Sequence, residues 1–136
     1  MSRPIKFRAW DVFAKEMDYE VTIDPDGKVA AFNPLDGQYV RGFSDDEKVL
    51  MQYTGLQDRN GKEIYEGDVI PPDYALKQNE VAIICYDSNQ ARFKKVPLSL
   101  YKANAGNGGW TGFEVTRHCS IIGNIYENPS LLEDTP

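Results

Sequence analysis

Histidine and cysteine are the residue types of this chain that could form a nucleophile or bind a transition metal. His118 and Cys119 are adjacent, and Cys85 is the second of the two cysteines in the 136-residue sequence. A thiol beside an imidazole can act as a nucleophile with its base, and a structural zinc ion needs about four such ligands. Neighbours on a strand point to opposite faces, so we expect His118 on the surface and Cys119 in the core. The sequence therefore predicts neither a catalytic cysteine nor a metal site.

Four carboxylates surround a predicted tight turn and could imitate a pair used in general acid/base catalysis. They are Asp58, Glu63, Glu66 and Asp68. Asn60-Gly61 between two apolar runs is the strongest hairpin signal of the chain, because both residues tolerate positive φ. We expect Gly61 to have positive φ, Asp58 to stabilise this turn, and Asp68 to accept backbone N–H groups near Gly67. We accordingly predict that the protein is not an enzyme and needs no cofactor.

The segment from residue 88 to 118 differs from the rest of the chain in charge. Its bases are Arg92, Lys94, Lys95, Lys102 and Arg117, and its one acid is Glu114, which gives a net charge of 5 − 1 = +4 within a chain of net charge −6. The aromatic residues Phe93, Tyr101, Trp110 and Phe113 lie between them. Bases interleaved with aromatics suit phosphate contact and base stacking. A solvated strand face next to an ordinary loop is the alternative interpretation.

Composition indicates a globular chain, with 41% hydrophobic and 26% charged residues. The aromatic fraction of 12% favours strands. A formal net charge of −6 argues against a general attraction to nucleic acid or an anionic membrane. The sequence has no apolar run of bilayer-spanning length and no secretory signal at its start. We therefore expect a cytoplasmic protein without a membrane partner.

Short alternating segments separated by turns predict a mainly β fold. The predicted strands cover residues 5–10, 17–22, 29–32, 49–53, 80–86, 91–96, 110–116 and 119–126. A turn is expected at 24–27, a capping box with one or two helical turns at 44–47, a loop at 97–109, and a helical turn from Asn128-Pro129 to Leu132. We predict an N-terminal β lobe over residues 1–61 and a small, partly open SH3-like barrel over residues 62–136.

Three stretches together resemble a known family. They are IKFRAWD at 5–11, LMQYTGLQDRNGKEIYEGDVI at 50–70 and IIGNIYENPSLL at 121–132. This pattern closely resembles the YopX family of bacteriophage and prophage proteins. The match is carried by Trp10, Tyr53, Thr54, Gly55, Asn60, Gly61, Ile64, Tyr65, Gly67, Asp68, Gly123, Asn124, Tyr126, Asn128 and Pro129. The resemblance implies a phage or prophage origin and a β-rich N-terminal part followed by an SH3-like barrel, but no activity or catalytic residue.

Two classes of function follow. The first is a non-enzymatic interaction or scaffold module, in which Trp10, Tyr53 and Tyr65 face a protein partner. That partner can be a second copy of the chain, which would make the protein a homo-oligomer. The second is a nucleic-acid-associated accessory protein that uses the basic and aromatic side chains of residues 88–118. Both are expected in the cytoplasm of a bacterial host cell.

Overall fold

The structure is a computed structural model that describes residues 4–103 and 109–133. The chain is mainly β, as predicted. It divides into two compact units, Met1–Tyr53 and Thr54–Pro136. The observed boundary, between Tyr53 and Thr54, precedes the expected boundary between residues 61 and 62.

The first unit is built from short antiparallel strands. These are β1 (Phe7–Asp11), β2 (Glu16–Asp18), β3 (Val21–Ile23), β4 (Val29–Asn33), β5 (Gln38–Phe43) and the start of β6 (Lys48–Gln57). The strand orders are β2-β1-β6 and β3-β4-β5. A core cluster of Ala9, Val21, Val29 and Ala31 is completed by Phe7, Phe43 and Leu50.

Local side-chain hydrogen bonds explain where the prediction for this unit fails. The single strand expected at 17–22 is two strands in different sheets, because the Asp18 carboxylate accepts the Glu20 N–H at 2.9 Å and turns the chain. Glu47 reaches back to the Ser44 N–H at 3.1 Å, as a capping box does. The expected helical turns do not follow, since the chain passes through a hydrogen-bonded turn directly into β6.

The second unit contains an open antiparallel sheet of five strands in the order β11-β10-β9-β8-β12. Its elements are β7 (Glu63–Tyr65), β8 (Asp68–Ile70), β9 (Ala82–Asp87), β10 (Arg92–Pro97), α1 (Leu98–Ala103), β11 (Phe113–Glu114) and β12 (Gly123–Asn124). Single turns of 3-10 helix occupy Tyr74–Leu76 and Pro129–Leu132. Val69, Ile83, Cys85, Val96 and Leu98 form its core. The strands predicted at 80–86 and 91–96 pair as an antiparallel hairpin, β9–β10, with Val96 opposite Ile83.

Three further predictions for the second unit are wrong in extent. The strand expected at 110–116 is only Phe113–Glu114. The first part of the loop expected at 97–109 is the helix α1, and residues 104–108 lie outside the described part. The last strand is only Gly123–Asn124, because the Asn124 side-chain oxygen accepts the N–H groups of Tyr126 and Glu127 and curls the chain. Asn128 makes no side-chain cap to the 3-10 turn that follows it, although Pro129 starts that turn as predicted.

The central turn has the predicted geometry. Gly61 has a φ of 84°, and its N–H donates to the Asp58 carbonyl at 3.0 Å. Asp58 N–H donates to the Lys62 carbonyl at 2.8 Å, which closes the turn between β6 and β7. The expected positive φ of Gly61 is therefore confirmed.

Gly61→Val is expected to lower the free energy of unfolding by about 1–2 kcal/mol, since a β-branched residue tolerates this φ poorly. An added Cβ would meet no atom within 4 Å, so the loss reports backbone strain and not a clash. Thermal melts measure it, with Gly108→Val as the control. Gly108 lies outside the described residues, and its glycine-rich sequence context predicts a much smaller loss. Equal melting temperatures for the two variants would contradict the hairpin.

Candidate functional site

One face of the five-stranded sheet carries the core cluster, whereas the other carries Lys95 and Phe113 beside the buried side chains of Ile70 and Ile84. Alternate residues of a strand point to opposite faces, so Val96 joins the core and its neighbour Lys95 faces away from it. Lys95 is paired in register with Phe113 on β11 and with Ile84 on β9. The sheet thereby places a cation next to an exposed aromatic ring.

An open cleft, named here the Lys95 cleft, lies over this second face. It consists of two adjoining cavities of about 580 and 320 Å³ that share Ile70, Pro71, Asp73, Lys95 and Phe113. The larger cavity is also lined by Arg59, Pro72, Tyr74, Glu114, Thr116, His118, Cys119 and Ser120, and the smaller by Gln78, Glu80 and Ala82. Tyr74 is 71% exposed and Phe113 47% exposed. Both rings are therefore open to a ligand.

The central hairpin holds one wall of the Lys95 cleft. The Asp58 carboxylate accepts the N–H groups of Asn60 and Lys62, both at 2.9 Å, and with its other oxygen the N–H of Ile121 at 3.0 Å. Arg59 donates its N–H to the Cys119 carbonyl at 3.0 Å, and its guanidinium group donates to the His118 carbonyl. The turn predicted from Asn60-Gly61 thus positions the segment 118–121.

The other wall is the segment that follows the Pro71-Pro72 pair. Proline has no backbone donor for a sheet, and β8 ends immediately before the pair. The Gln78 N–H donates to the Asp73 carbonyl at 2.8 Å, and the Lys77 N–H donates to the Tyr74 carbonyl at 3.1 Å. These bonds close a small loop and leave the Tyr74 ring exposed at its tip.

Charges of both signs line the Lys95 cleft. Lys95 is half-buried, and within residues 4–103 and 109–133 its ammonium group forms no ion pair or hydrogen bond. The acids are Asp73, Glu80 and Glu114. The Glu80 carboxylate is engaged, since its two oxygens accept the Ser99 N–H at 3.0 Å and the Ser99 hydroxyl at 2.8 Å.

Lys94, which the sequence grouped with Lys95, lies on the core face. It is only 6% exposed, and its ammonium group contacts the Asp87 carboxylate at 2.6 Å and donates to the Trp110 carbonyl at 2.7 Å. The Trp110 N–H donates to the same Asp87 oxygen at 3.1 Å. This ion pair therefore supports the fold, and Lys94 is not exposed to a ligand. Nothing in the residue pattern around Lys94 indicated that Asp87 is its partner.

The other residues proposed from sequence are scattered. Tyr53 and Tyr65 are buried, so their rings are not free to face a partner, and Trp10 is half-buried. The Trp110 ring stacks on Tyr101 at a centroid distance of 5.3 Å. Arg92, Lys102 and Arg117 are exposed outside the Lys95 cleft, and Arg92 lines a separate cavity of about 350 Å³. Of the nine residues that the sequence proposed for an interaction, Lys95 alone lines the Lys95 cleft.

Three lining residues were missed as site residues by sequence reasoning. They are Arg59, Tyr74 and Phe113. Nothing in the sequence singled out Arg59, and Phe113 is only one of four aromatic residues in the segment 88–118. The Pro71-Pro72-Asp73 sequence before Tyr74 was a usable signal, because it predicts a loop that presents the next side chain to solvent.

The thiols and the imidazole show no catalytic arrangement. Burial raises the pKa of the Cys85 thiol to about 12, and Glu66 adds to the rise. Burial also raises the pKa of Cys119, with the Asp58 charge adding to it, and the Cys119 thiol donates to the Thr116 carbonyl at 3.4 Å. His118 is exposed, as expected, but Cys119 is partly exposed in the cleft wall. Both thiols are therefore protonated near neutral pH.

Neither a metal-binding cluster nor a membrane-spanning helix is present in the described residues. Residues 4–103 and 109–133 contain no group of three or more His, Cys, Asp or Glu side chains that could hold a metal ion. In the same part of the chain, no helix has the length and apolar character needed to span a bilayer.

The fold and the cleft together define a mainly β protein with an open antiparallel sheet in its second unit. The family model described as YopX protein matches residues 6–133, and the chain belongs to the YopX family. The resemblance found at residues 5–11, 50–70 and 121–132 is therefore confirmed. No curated protein matches the chain.

Two solved structures share this fold. Protein EF1440 from Enterococcus faecalis is 29% identical, with a TM-score of 0.57, and the match covers 97% of this chain and 100% of that one. Protein yopX from Bacillus subtilis is 20% identical, with a TM-score of 0.54, and the match covers 94% of this chain and 98% of that one. The second likeness bears on the fold alone.

Proposed function

We propose that this protein is a non-enzymatic interaction module that binds an extended segment of a partner protein in the Lys95 cleft. The observation that carries the proposal is an open cleft of about 580 Å³ with two exposed aromatic rings, Tyr74 and Phe113, in its lining. Aromatic side chains bury a large area at small entropic cost, and they dominate the energy of many interfaces.

The position of β11 favours an extended ligand. It is the outer strand of the five-stranded sheet and contains only Phe113 and Glu114. In an antiparallel pair, alternate residues direct their N–H and C=O groups toward the partner strand and away from it. One residue of β11 therefore offers its backbone groups outward, where an added strand can pair with them.

The chemical groups in the cleft support binding and not catalysis. Cys119 is a protonated thiol bonded to the Thr116 carbonyl, so no imidazole activates it. His118 is exposed, and its carbonyl accepts hydrogen bonds from Arg59. A nucleophile needs a base within hydrogen-bond reach, and Cys119 does not show that contact.

The nucleic-acid alternative has less support. Lys94 is paired with Asp87, and the Trp110 ring already stacks on Tyr101. Asp73, Glu80 and Glu114 also line the Lys95 cleft, where they would repel a phosphate backbone. The alternative then rests on Arg92, Lys102 and Arg117, and an oligonucleotide titration at low salt tests it.

As an interaction module, the protein is proposed to act in phage–host biology. Support for this comes from its family, since the resemblance to YopX proteins implies a phage or prophage gene. The cytoplasm of the bacterial host is the corresponding place of action.

We expect a displayed peptide library to yield binders of the purified protein, and Tyr74→Ala/Phe113→Ala to weaken them at least about tenfold. The matched control is Phe13→Ala/Tyr39→Ala, which removes two exposed rings of the first unit. The selected peptides should bind this control as they bind the original protein. An empty selection, or equal loss in both variants, contradicts the proposal. Oligo-dT binding that Arg92→Glu/Arg117→Glu abolishes would favour the nucleic-acid alternative instead.

A further inference from the structure

Lys95 is an unusual cation of the second unit, because it is half-buried while its ammonium group has no partner within the described residues. Its neighbour Lys94 shows the common arrangement, in which a buried ammonium group contacts a carboxylate. Lys95 buries part of its aliphatic stem and lines an open cleft, where its ammonium group is accessible to a ligand. A ligand that supplies a carboxylate in the Lys95 cleft would therefore gain an interaction that the protein leaves unmade.

We infer that the partner segment is acidic, with one carboxylate side chain that pairs with Lys95 and an apolar side chain that packs on Phe113 and Tyr74. This inference rests on the proposed function and specifies its ligand. Lys95 and Phe113 lie directly opposite each other on β10 and β11. Alternate side chains of an extended segment point to the same side. An acidic and an apolar side chain on that side can therefore contact Lys95 and Phe113 together.

The guanidinium group of Arg59 adds a second positive charge in the wall of the larger cavity. It donates to the His118 carbonyl, which is a neutral acceptor, so Arg59 keeps its net charge toward the cleft. Because Asp73 and Glu114 line the same cavity, the two cations favour an anionic side chain only where it lies next to Lys95 and Arg59.

Acids at the edges of the cleft limit how much negative charge the ligand carries. Asp73 lines both cavities, Glu114 lines the larger one, and Glu80 lines the smaller one. A segment with several consecutive acids, or a polyphosphate chain, meets these carboxylates as well as Lys95. The arrangement therefore selects a single carboxylate flanked by uncharged residues.

The test is a charge-swap experiment with the peptides selected above. The acid of the peptide is replaced by Gln or by Lys, and each peptide is titrated against the original protein, Lys95→Met and Lys95→Glu. The acidic peptide should lose about tenfold or more in affinity on Lys95→Met and more on Lys95→Glu. The Lys-containing peptide should bind Lys95→Glu better than it binds the original protein.

Lys102→Glu is the matched control, because it makes the same change in net charge on α1, outside the cleft. It should leave the affinity of the acidic peptide within about twofold of the original value at physiological salt. Lys95→Met keeps the aliphatic stem, so a melting curve like that of the original protein shows that the loss is not unfolding.

The possible failures are distinguishable. Peptides that bind without an acidic residue, or an equal loss on Lys102→Glu, overturn the inference and leave the interaction module standing. Competition by millimolar inorganic phosphate as strong as that by the acidic peptide would show a general anion site and also overturn the inference. If no peptide binds the original protein, the proposed function itself fails.

Discussion

Lys94→Met will lower the free energy of unfolding by about 3 kcal/mol, because it breaks a buried ion pair. The Lys94 ammonium group contacts the Asp87 carboxylate at 2.6 Å, with both side chains under a tenth exposed. Methionine keeps the length of the side chain and removes its charge. The Asp87 carboxylate is then left in the interior without its counter-ion, and the Trp110 carbonyl loses a donor.

Lys95→Met is the control for this variant, since it removes the same charge one position later on the same strand. It should change the free energy of unfolding by less than about 0.5 kcal/mol, as a substitution away from buried pairs does. Urea denaturation measures both. The double variant Lys94→Met/Asp87→Asn has no unpaired buried charge at this site. Its free energy of unfolding should therefore be higher than that of Lys94→Met. Equal stability of the two single variants would show that the Lys94–Asp87 pair is not buried in solution.

Acid titration gives an independent reading of the same pair. The Lys94 ammonium group, followed by the Trp110 N–H, lowers the pKa of Asp87 to about 2, from an ordinary value of 3.8. A carboxyl whose folded-state pKa is lowered contributes stability that is complete above its unfolded pKa and is lost as pH falls. Stability should therefore fall between about pH 4 and pH 2. Lys94→Met should show a shallower fall over the same range.

The contrast between Lys94 and Lys95 shows what the sequence could not determine. The sequence groups both lysines in one basic segment, whereas the alternation along β10 directs their side chains to opposite faces. The sequence alone did not show which face is the core, because a lysine is rarely buried without a partner. That partner is Asp87, which the hairpin brings next to Lys94 in space.

Local turn chemistry, in contrast, was predictable. The positive φ of Gly61 and the role of Asp58 in the hairpin follow from residue types within five positions of each other. The edge strand β5 was missed, because its side chains are largely exposed and it shows no apolar alternation. The short helix α1 was missed as well, since six residues after a proline carry little helical pattern.

The Lys95 cleft was beyond reach of sequence reasoning for a different reason. Its lining comes from distant parts of the chain that only the tertiary structure brings together. Arg59 lies in the turn between β6 and β7, Tyr74 in the 3-10 turn after β8, and Phe113 in β11. The matched family residues gave no indication of it either. Several of them shape the chain: Gly67 has a φ of 84°, and Asn124 accepts two N–H groups of the turn that follows it.

Asp58→Ala will lower the free energy of unfolding by about 2–3 kcal/mol, because three backbone N–H groups lose a charged acceptor. The N–H groups of Asn60 and Lys62 belong to the turn itself, whereas that of Ile121 is 63 residues away. Burial alone would raise the pKa of Asp58, but the Ile121, Lys62 and Asn60 N–H groups hold that pKa below its ordinary value. Its stabilising contribution should accordingly decrease as pH falls below about 4.

Asp58→Asn separates the two roles of this carboxylate. The asparagine oxygen can still accept the two N–H groups of the turn, but its NH₂ group would face the Ile121 N–H as a second donor. The hairpin should therefore persist while amide exchange at Ile121 accelerates. Asp36→Ala is the control, since the Asp36 carboxylate accepts one exposed N–H, from Gln38, at 3.0 Å. It should cost less than about 1 kcal/mol.

The same Asp58→Asn variant connects the hairpin to the cleft. Ile121 follows the segment of Thr116, His118, Cys119 and Ser120 that lines the larger cavity, and Arg59 holds this segment only at the His118 and Cys119 carbonyls. Releasing the Ile121 N–H should loosen the wall, so the selected peptides should bind several-fold more weakly while the melting temperature falls only modestly. Unchanged peptide affinity together with faster amide exchange at Ile121 would show that this wall takes no part in binding.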